Sequence, residues 1–437
     1  MYFSFGLDSV GAFFLVLFTF MWIVVGIYAL RYMTYQTNKR RFFVCYILTY
    51  IMLACLCLAQ NYFTMIFSYG FMTLLSVPLV LHDETEQAVE AAKKYIFYSV
   101  AGITLGIAGM FFAGPNCSSY LFVAGGSLKA EALESGSNIL RTAIFISILG
   151  YGAKAGLFPL HASLPAAHPV APCPASAVLS GAVSNAGVLC IIRVIYFVFG
   201  PAIIEGSWVQ YTLSALALLT VVTGTLMAYQ QTRLKSRLAY STVSQMSCIL
   251  FGIFTLNPIG MLGAFLHIVY HCIIKNCLFM VAGGIKFANH FREGEEVSET
   301  QIARSRAEIP SIEGLGKQMP VSFACFTVAS LGLIGIAPMA GFLSKWYIGT
   351  GSLDEGLVVI SWLGPACLMA MAMLTAACLL SISIKAFFPL KETEVTCHEI
   401  PPQMMFPVIL LAVLVVLLGV FAQPLVDVVN GVIAGFM

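Results

Sequence analysis

Apolar runs of about 20 residues recur along this chain, and no other feature of the sequence constrains its fold as much. A run of that length crosses a hydrocarbon core roughly 30 Å thick. A backbone inside lipid must satisfy its own amides and carbonyls, so each run is expected to be a helix. Charged residues make up only 10% of the 437, and hydrophobic residues 59%. A soluble domain carries roughly 25% charged residues, so most of this surface faces something other than water. Mean hydropathy is +0.91.

The sequence predicts an all-α polytopic membrane protein with about twelve transmembrane helices. Their expected spans are 9–29, 41–59, 60–82, 94–114, 139–163, 172–199, 207–229, 238–255, 259–285, 320–350, 356–388 and 404–434. Arg31, Lys39, Arg40, Arg41, Lys93, Lys94, Arg233, Lys235 and Arg237 all fall on one side of this pattern. The opposite links, 115–138, 200–206 and 351–355, offer only Lys129. Basic links stay cytoplasmic, so both termini are expected outside a cell membrane. The polar stretch 286–317 then forms a cytoplasmic loop, in which EGEEVSETQIARSRAE reads as a short surface helix or a solvated linker. The first apolar run is long and precedes RYMTYQTNKRR, which argues against a cleaved signal peptide.

The net charge of +2 points to no polyanionic partner, nucleic acid included. The 13 cysteines contain no CxxC pair, and Cys55, Cys57, Cys190, Cys272, Cys277 and Cys378 sit inside apolar runs. They read as small buried hydrophobes rather than metal or cluster ligands, and no cofactor or metal is expected.

Ionisable residues within apolar segments carry the functional signal. Each costs about 2.5–3.5 kcal/mol at the centre of a lipid-facing helix, so each should turn to the bundle interior. Lys154 lies in ISILGYGAKAGLFPLHASLPAAHPVAP, among Gly150, Gly152, Gly156, Pro159, Pro165, Pro169 and Pro172. That density of Gly and Pro predicts a broken helix beside the lysine. His267, His271 and Lys275 recur at i, i+4 and i+8 in HIVYHCIIKNCLF, on one stripe with steps of about 6 Å. Two imidazoles and an amine in a row suit proton transfer. A metal is the alternative reading, but no acid or thiol of suitable spacing completes a site. Lys345, in GLIGIAPMAGFLSKWYIG, marks a second disrupted helix, or else a lysine snorkelling to the membrane face. Lys385, near the end of its segment, reads as a plain snorkelling lysine. Two broken, lysine-bearing helices suggest two structural repeats, 41–199 and 207–388, within a single transmembrane domain.

These segments resemble the antiporter-like membrane subunits shared by respiratory complex I, Mrp cation/proton antiporters and energy-converting hydrogenases. AKAGLFPLHASLPAAHPVAPCPASAVLSG looks most like the formate-hydrogenlyase branch, and RLKSRLAYSTVSQMS, HIVYHCIIKNCLF, IEGLGKQMP and GIAPMAGFLSKW follow in family order. The resemblance implies two inverted five-helix repeats broken near Lys154 and Lys345. It makes Lys154, His267, His271, Lys275 and Lys345 the proton relay, with His161, His168 and Lys235 as relay support. The implied partners are further antiporter-like subunits, other membrane subunits, lipid, and a peripheral redox module with Fe–S clusters. The implied subunit is itself non-catalytic within an oxidoreductase complex.

The chain departs from that pattern at informative places. The glutamate that pairs with the first lysine aligns with Gly70, and residues 60–82 hold no carboxylate. A second lysine becomes Asn185 in SGAVSNAG, and a tryptophan becomes Ser163. The chain also begins where relatives have usually completed two helices. The first half of the relay is therefore expected to be retuned or silent. Three functions stay open: a subunit of a redox-driven complex that translocates protons, with or without a sodium link; an Mrp-type cation/proton antiporter; and a structural subunit that no longer pumps.

Overall fold

The computed structural model describes residues 2–289, 307–354, 358–390 and 398–437, and among these the regular structure is helical, with no strand. The first half contributes α1 (Ser9–Tyr32), α2 (Lys39–Cys57), α3 (Tyr62–Val80), α4 (Glu86–Ala113), α5 (Asn138–Ala155), α6 (Ser163–Val170) and α7 (Cys173–Phe199). The second contributes α8 (Trp208–Gln230), α9 (Leu234–Phe254), α10 (Pro258–Ala288), α11 (Pro320–Ile334), α12 (Ala340–Leu353), α13 (Val358–Phe387), α14 (Pro402–Val420) and α15 (Gln423–Ile433).

Among the described residues, nine helices are long and apolar enough to cross a membrane alone: α1 to α4, α7, α8, α10, α13 and α14. The other expected crossings are those that carry polar groups or breaks. α9 is rich in Ser, Thr and Gln, yet almost all of it is buried, because it faces protein rather than lipid. α5 stops at Gly156 and α11 at Gly335, each in the left-handed region (φ +79° and +88°) that glycine enters without a Cβ penalty. Pro159 and Pro338 follow, and the chain resumes as α6 and α12. Both expected breaks are therefore present.

Two boundaries differ from expectation. The segment expected at 404–434 is two helices. α14 already spans the core, and α15 buries Val426, Val429, Val432 and Ile433 while exposing Asp427 and Asn430. α4 begins at Glu86 rather than near 94, because Thr85 accepts the Ala88 amide and starts the helix in polar sequence. The surface helix considered for EGEEVSETQIARSRAE, residues 293–308, lies outside the described residues except for its last two.

α7 and α10 form the axis, enclosed on all sides, while the surrounding helices expose apolar faces. Both chain ends lie at one end of the bundle: Gly435 sits beside Ser9, and Phe436 packs on Tyr196, Phe197 and Phe265. Asp8 caps α1 through the Gly11 amide (2.8 Å) and forms a two-pronged ion pair with buried Arg193 on α7. Arg31, Lys39, Arg41 and Arg233 lie at the opposite end, which is hereafter the basic end.

His82, just past α3, is buried with neither ring nitrogen hydrogen-bonded. Burial pushes its pKa below the usual 6.5, with Arg41 reinforcing and Asp83 opposing. The unfolded chain gains a proton near pH 6.5 that the folded chain resists, so stability should fall as pH drops below that value. The Tm of the purified protein between pH 7 and 5 checks this. His82→Gln should flatten the decline, and an unchanged slope would exclude His82 as its source.

Candidate functional site

The α10 stripe is buried throughout. His267 meets Ser344 Oγ through Nδ1 (2.9 Å) and Gln245 Oε1 through Nε2 (3.0 Å). His271 lies one turn on, its ring 6.5 Å from that of His267, and neither of its nitrogens has a protein partner. Lys275 donates to the Leu238 carbonyl (3.0 Å) and to Ser241 Oγ, both on α9. Asn276, beside it, is buried with both amide atoms unpartnered. Unpaired polar atoms in an interior cost about 1–3 kcal/mol each, and such places are where internal water is held. Among the described residues no three His, Cys, Asp or Glu side chains are grouped so as to hold an ion.

Lys154 is buried at the end of α5. It donates to Thr73 Oγ1 (2.8 Å) on α3 and to Tyr95 OH (3.0 Å) on α4, and Tyr95 in turn meets Ser76 Oγ at 2.8 Å. The rings of Tyr95 and Tyr69 lie 4.8 and 5.7 Å from the ammonium. A Cβ at Gly70 would meet nothing within 4 Å, so this position, on the same face of α3 as Thr73, leaves open space. The facing position is Thr73, one helical turn further on. The amine therefore meets the hydroxyl of Thr73, and Gly70 brings no side chain to it.

A cavity of about 10 Å³ touches Lys154, Tyr95, Ser163, Ser184 and His168. That is close to the space one water centre needs. His168 is fully buried, stacks on Phe279 at 5.2 Å, and has neither nitrogen hydrogen-bonded. It lies within electrostatic reach of Lys235 and Lys275, and His271 within reach of Lys275, His267 and His168. Lys235 donates to the carbonyls of Pro169 (3.3 Å) and Ala171. Of the supporting residues, His161 stands apart, half-buried in the break and stacked on exposed Phe158.

Lys345 does not snorkel. It donates to the Leu333 (2.6 Å) and Ile334 (2.8 Å) carbonyls, the free C-terminal carbonyls of α11, where the helix dipole favours a cation. Its neighbour Ser344 carries the hydrogen bond to His267. A cavity of about 320 Å³ opens beside it, between α12 and α13. Asn185 donates to Gly181 O (2.6 Å) and approaches Cys272 Sγ (3.3 Å), which puts it against α10 within a turn of Lys275. The carbonyl it meets belongs to the π-helical stretch Leu179–Val183, an irregularity common at functional sites.

Comparison with known proteins places this arrangement. Residues 59–372 match the family described as NADH:quinone oxidoreductase/Mrp antiporter, transmembrane. The chain belongs to this family. It is 26% identical over 442 residues to NADH-quinone oxidoreductase subunit N of Desulforudis audaxviator, covering 96% of this chain and 82% of that one. It is 27% identical over 439 residues to hydrogenase-4 component B of Escherichia coli, covering 95% of this chain but only 62% of that relative. Its fold matches a chain of the archaeal membrane-bound sulfane sulfur reductase with a TM-score of 0.83 at 21% identity, over 100% of this chain and 86% of that one. The chain is thus an antiporter-like membrane protein, and its named relatives are parts of multisubunit membrane complexes.

Sequence reasoning missed several residues of this antiporter-like interior. Thr73, Tyr95, Gln245, Ser241 and Asn276 are polar but uncharged, so each looked unremarkable alone. The run Ser241, Thr242, Ser244, Gln245, Ser247 in α9 was the available signal. Arg193, a charge inside CIIRVIYF, was another.

Proposed function

We propose that this chain is a proton-translocating subunit of a multisubunit, redox-driven membrane complex of the hydrogenase type. One observation carries the reading: an interior line of titratable side chains joins the two broken helices. It runs from Lys154 through the water-sized cavity to His168, then to His271 and Lys275, and through His267 and Ser344 to Lys345. A proton advances along it as each imidazole accepts on one nitrogen and releases from the other. Lys235, bonded to the carbonyls that follow His168, is the natural supply from the basic end, which we take as cytoplasmic. The parallel position of the two breaks supports two inverted repeats, 41–199 and 207–388. A peripheral Fe–S module supplying the redox energy follows from the hydrogenase and respiratory relatives.

A structural, non-pumping role draws support from one observation. Among the described residues every carboxylate lies before α1, in a connection, in the first turns of α4 or on α15, and none pairs with a buried lysine. The test is the proton-to-electron ratio of the complex, purified in mild detergent and reconstituted in liposomes. His168→Gln should lower the ratio by this subunit's share while redox turnover continues. An unchanged ratio would favour the structural role.

A further inference from the structure

The relay proposed above does not use a second set of hydroxyls that reaches Lys154 from the other side. On α5, Ser147, Tyr151 and Lys154 stand at i, i+4 and i+7, on one face. On α3, Tyr62, Tyr69, Thr73 and Ser76 form a matching stripe. The stripes meet. Tyr62 OH and Tyr151 OH are 2.7 Å apart, and Tyr62 OH and Ser147 Oγ both donate to the Gly106 carbonyl of α4 (2.9 and 3.3 Å). The Tyr69 ring contacts that of Tyr151 edge-on at 5.4 Å and lies 5.7 Å from the Lys154 ammonium. Room for Tyr151 comes from Gly106, where a Cβ would come within 2.8 Å of its ring.

This column does not end in apolar packing. Tyr62 lines a groove of about 670 Å³ between α3 and α4, at the end of the bundle that carries both chain termini. Asn61, Ser118, Ser119 and Tyr120 share that otherwise largely apolar groove, and theirs are the groups beside which water can be held.

We propose that the tyrosine column is an access route joining Lys154 to water at the termini-bearing end, so that this half of the relay has its own opening. The proposal rests on the relay role given to Lys154. Each hydroxyl on the route accepts a proton on a lone pair and releases its own onward, so no other reactant is needed. Between Tyr151 and the ammonium stands the Tyr69 ring, 5.4 Å from the ring of Tyr151 and 5.7 Å from Lys154 Nζ, and the route requires water to cross that step.

Two measurements test it. In the reconstituted complex, Tyr62→Phe and Tyr151→Phe keep the rings and remove the contact between hydroxyls. Each should slow this subunit's translocation about tenfold, the effect of losing one hydrogen-bonded step. Tyr46→Phe, which loses a buried hydrogen bond to the Trp22 carbonyl away from the column, should leave it unchanged. Loss of rate in Tyr46→Phe as well, or none in the other two, would overturn the route. The second measurement does not depend on pumping. In sealed vesicles of known orientation, silver ions should block the thiol introduced by Tyr151→Cys from the termini-bearing face first, read by later alkylation of that peptide. Block from the basic face first, or from neither, overturns the proposal. Failure of the wild-type complex to pump would count against the function proposed above, and the silver result would still decide the route.

Discussion

Replacing His271 and Lys275 together by alanine should abolish the proton share of this subunit while the complex still assembles. Both side chains are fully buried in α10, where on the proposed relay the arm from Lys154 meets the arm to Lys345. Their stability accounts differ from those of ordinary core residues. Neither nitrogen of His271 has a partner, and Lys275 has a carbonyl and a hydroxyl but no counter-charge. Groups buried in that way cost free energy, so shape-conserving removal is neutral or stabilising. Lys275→Met should therefore keep the assembled complex at the same Tm or above it, and still stop translocation. The alanine pair leaves a cavity and should lower Tm by a few degrees at most for a chain this long. Proton uptake per electron in liposomes measures the functional effect. A ratio within error of wild type for the Met variant would remove α10 from the path.

The architecture was legible in the sequence because lipid imposes a strong rule: a crossing backbone must be helical and mostly apolar. The breaks near Lys154 and Lys345 were equally legible, since Gly and Pro act on the backbone locally. The α10 stripe followed from helical periodicity alone. What was not legible depended on pairing between distant segments. Thr73 and Tyr95 matter because α3 and α4 bring them to Lys154 from 81 and 59 residues away. His168 gained importance from a cavity, and Arg193 from Asp8, 185 residues distant. That Thr73, one turn beyond Gly70 on the same face of α3, meets Lys154 emerges only from the packing of α3 against α5.

That turn decides what substitution at Lys154 should do. Were the first half silent for want of a carboxylate, Lys154→Ala would barely change translocation. The structure instead gives the amine two hydroxyl acceptors, two aromatic faces and a water-sized cavity leading to His168. An ammonium so surrounded can hold and pass a proton without a fixed negative charge. Lys154→Ala should therefore remove most of the subunit's proton share. Thr73→Val keeps the shape and deletes one acceptor, leaving a buried donor short of a partner at a cost of about 1–3 kcal/mol. Its translocation should fall accordingly, with assembly intact. Acids separate the two positions. Thr73→Glu sets a carboxylate against the amine, and opposite charges within about 4–6 Å hold the proton on lysine. Release from Lys154 then slows, so translocation should need a higher external pH. Gly70→Glu, one turn away on the same face, has room for its Cβ but starts further from the amine, so its shift should be the smaller of the two. A shifted profile in Gly70→Glu with none in Thr73→Glu would mean that α3 presents a different turn to Lys154.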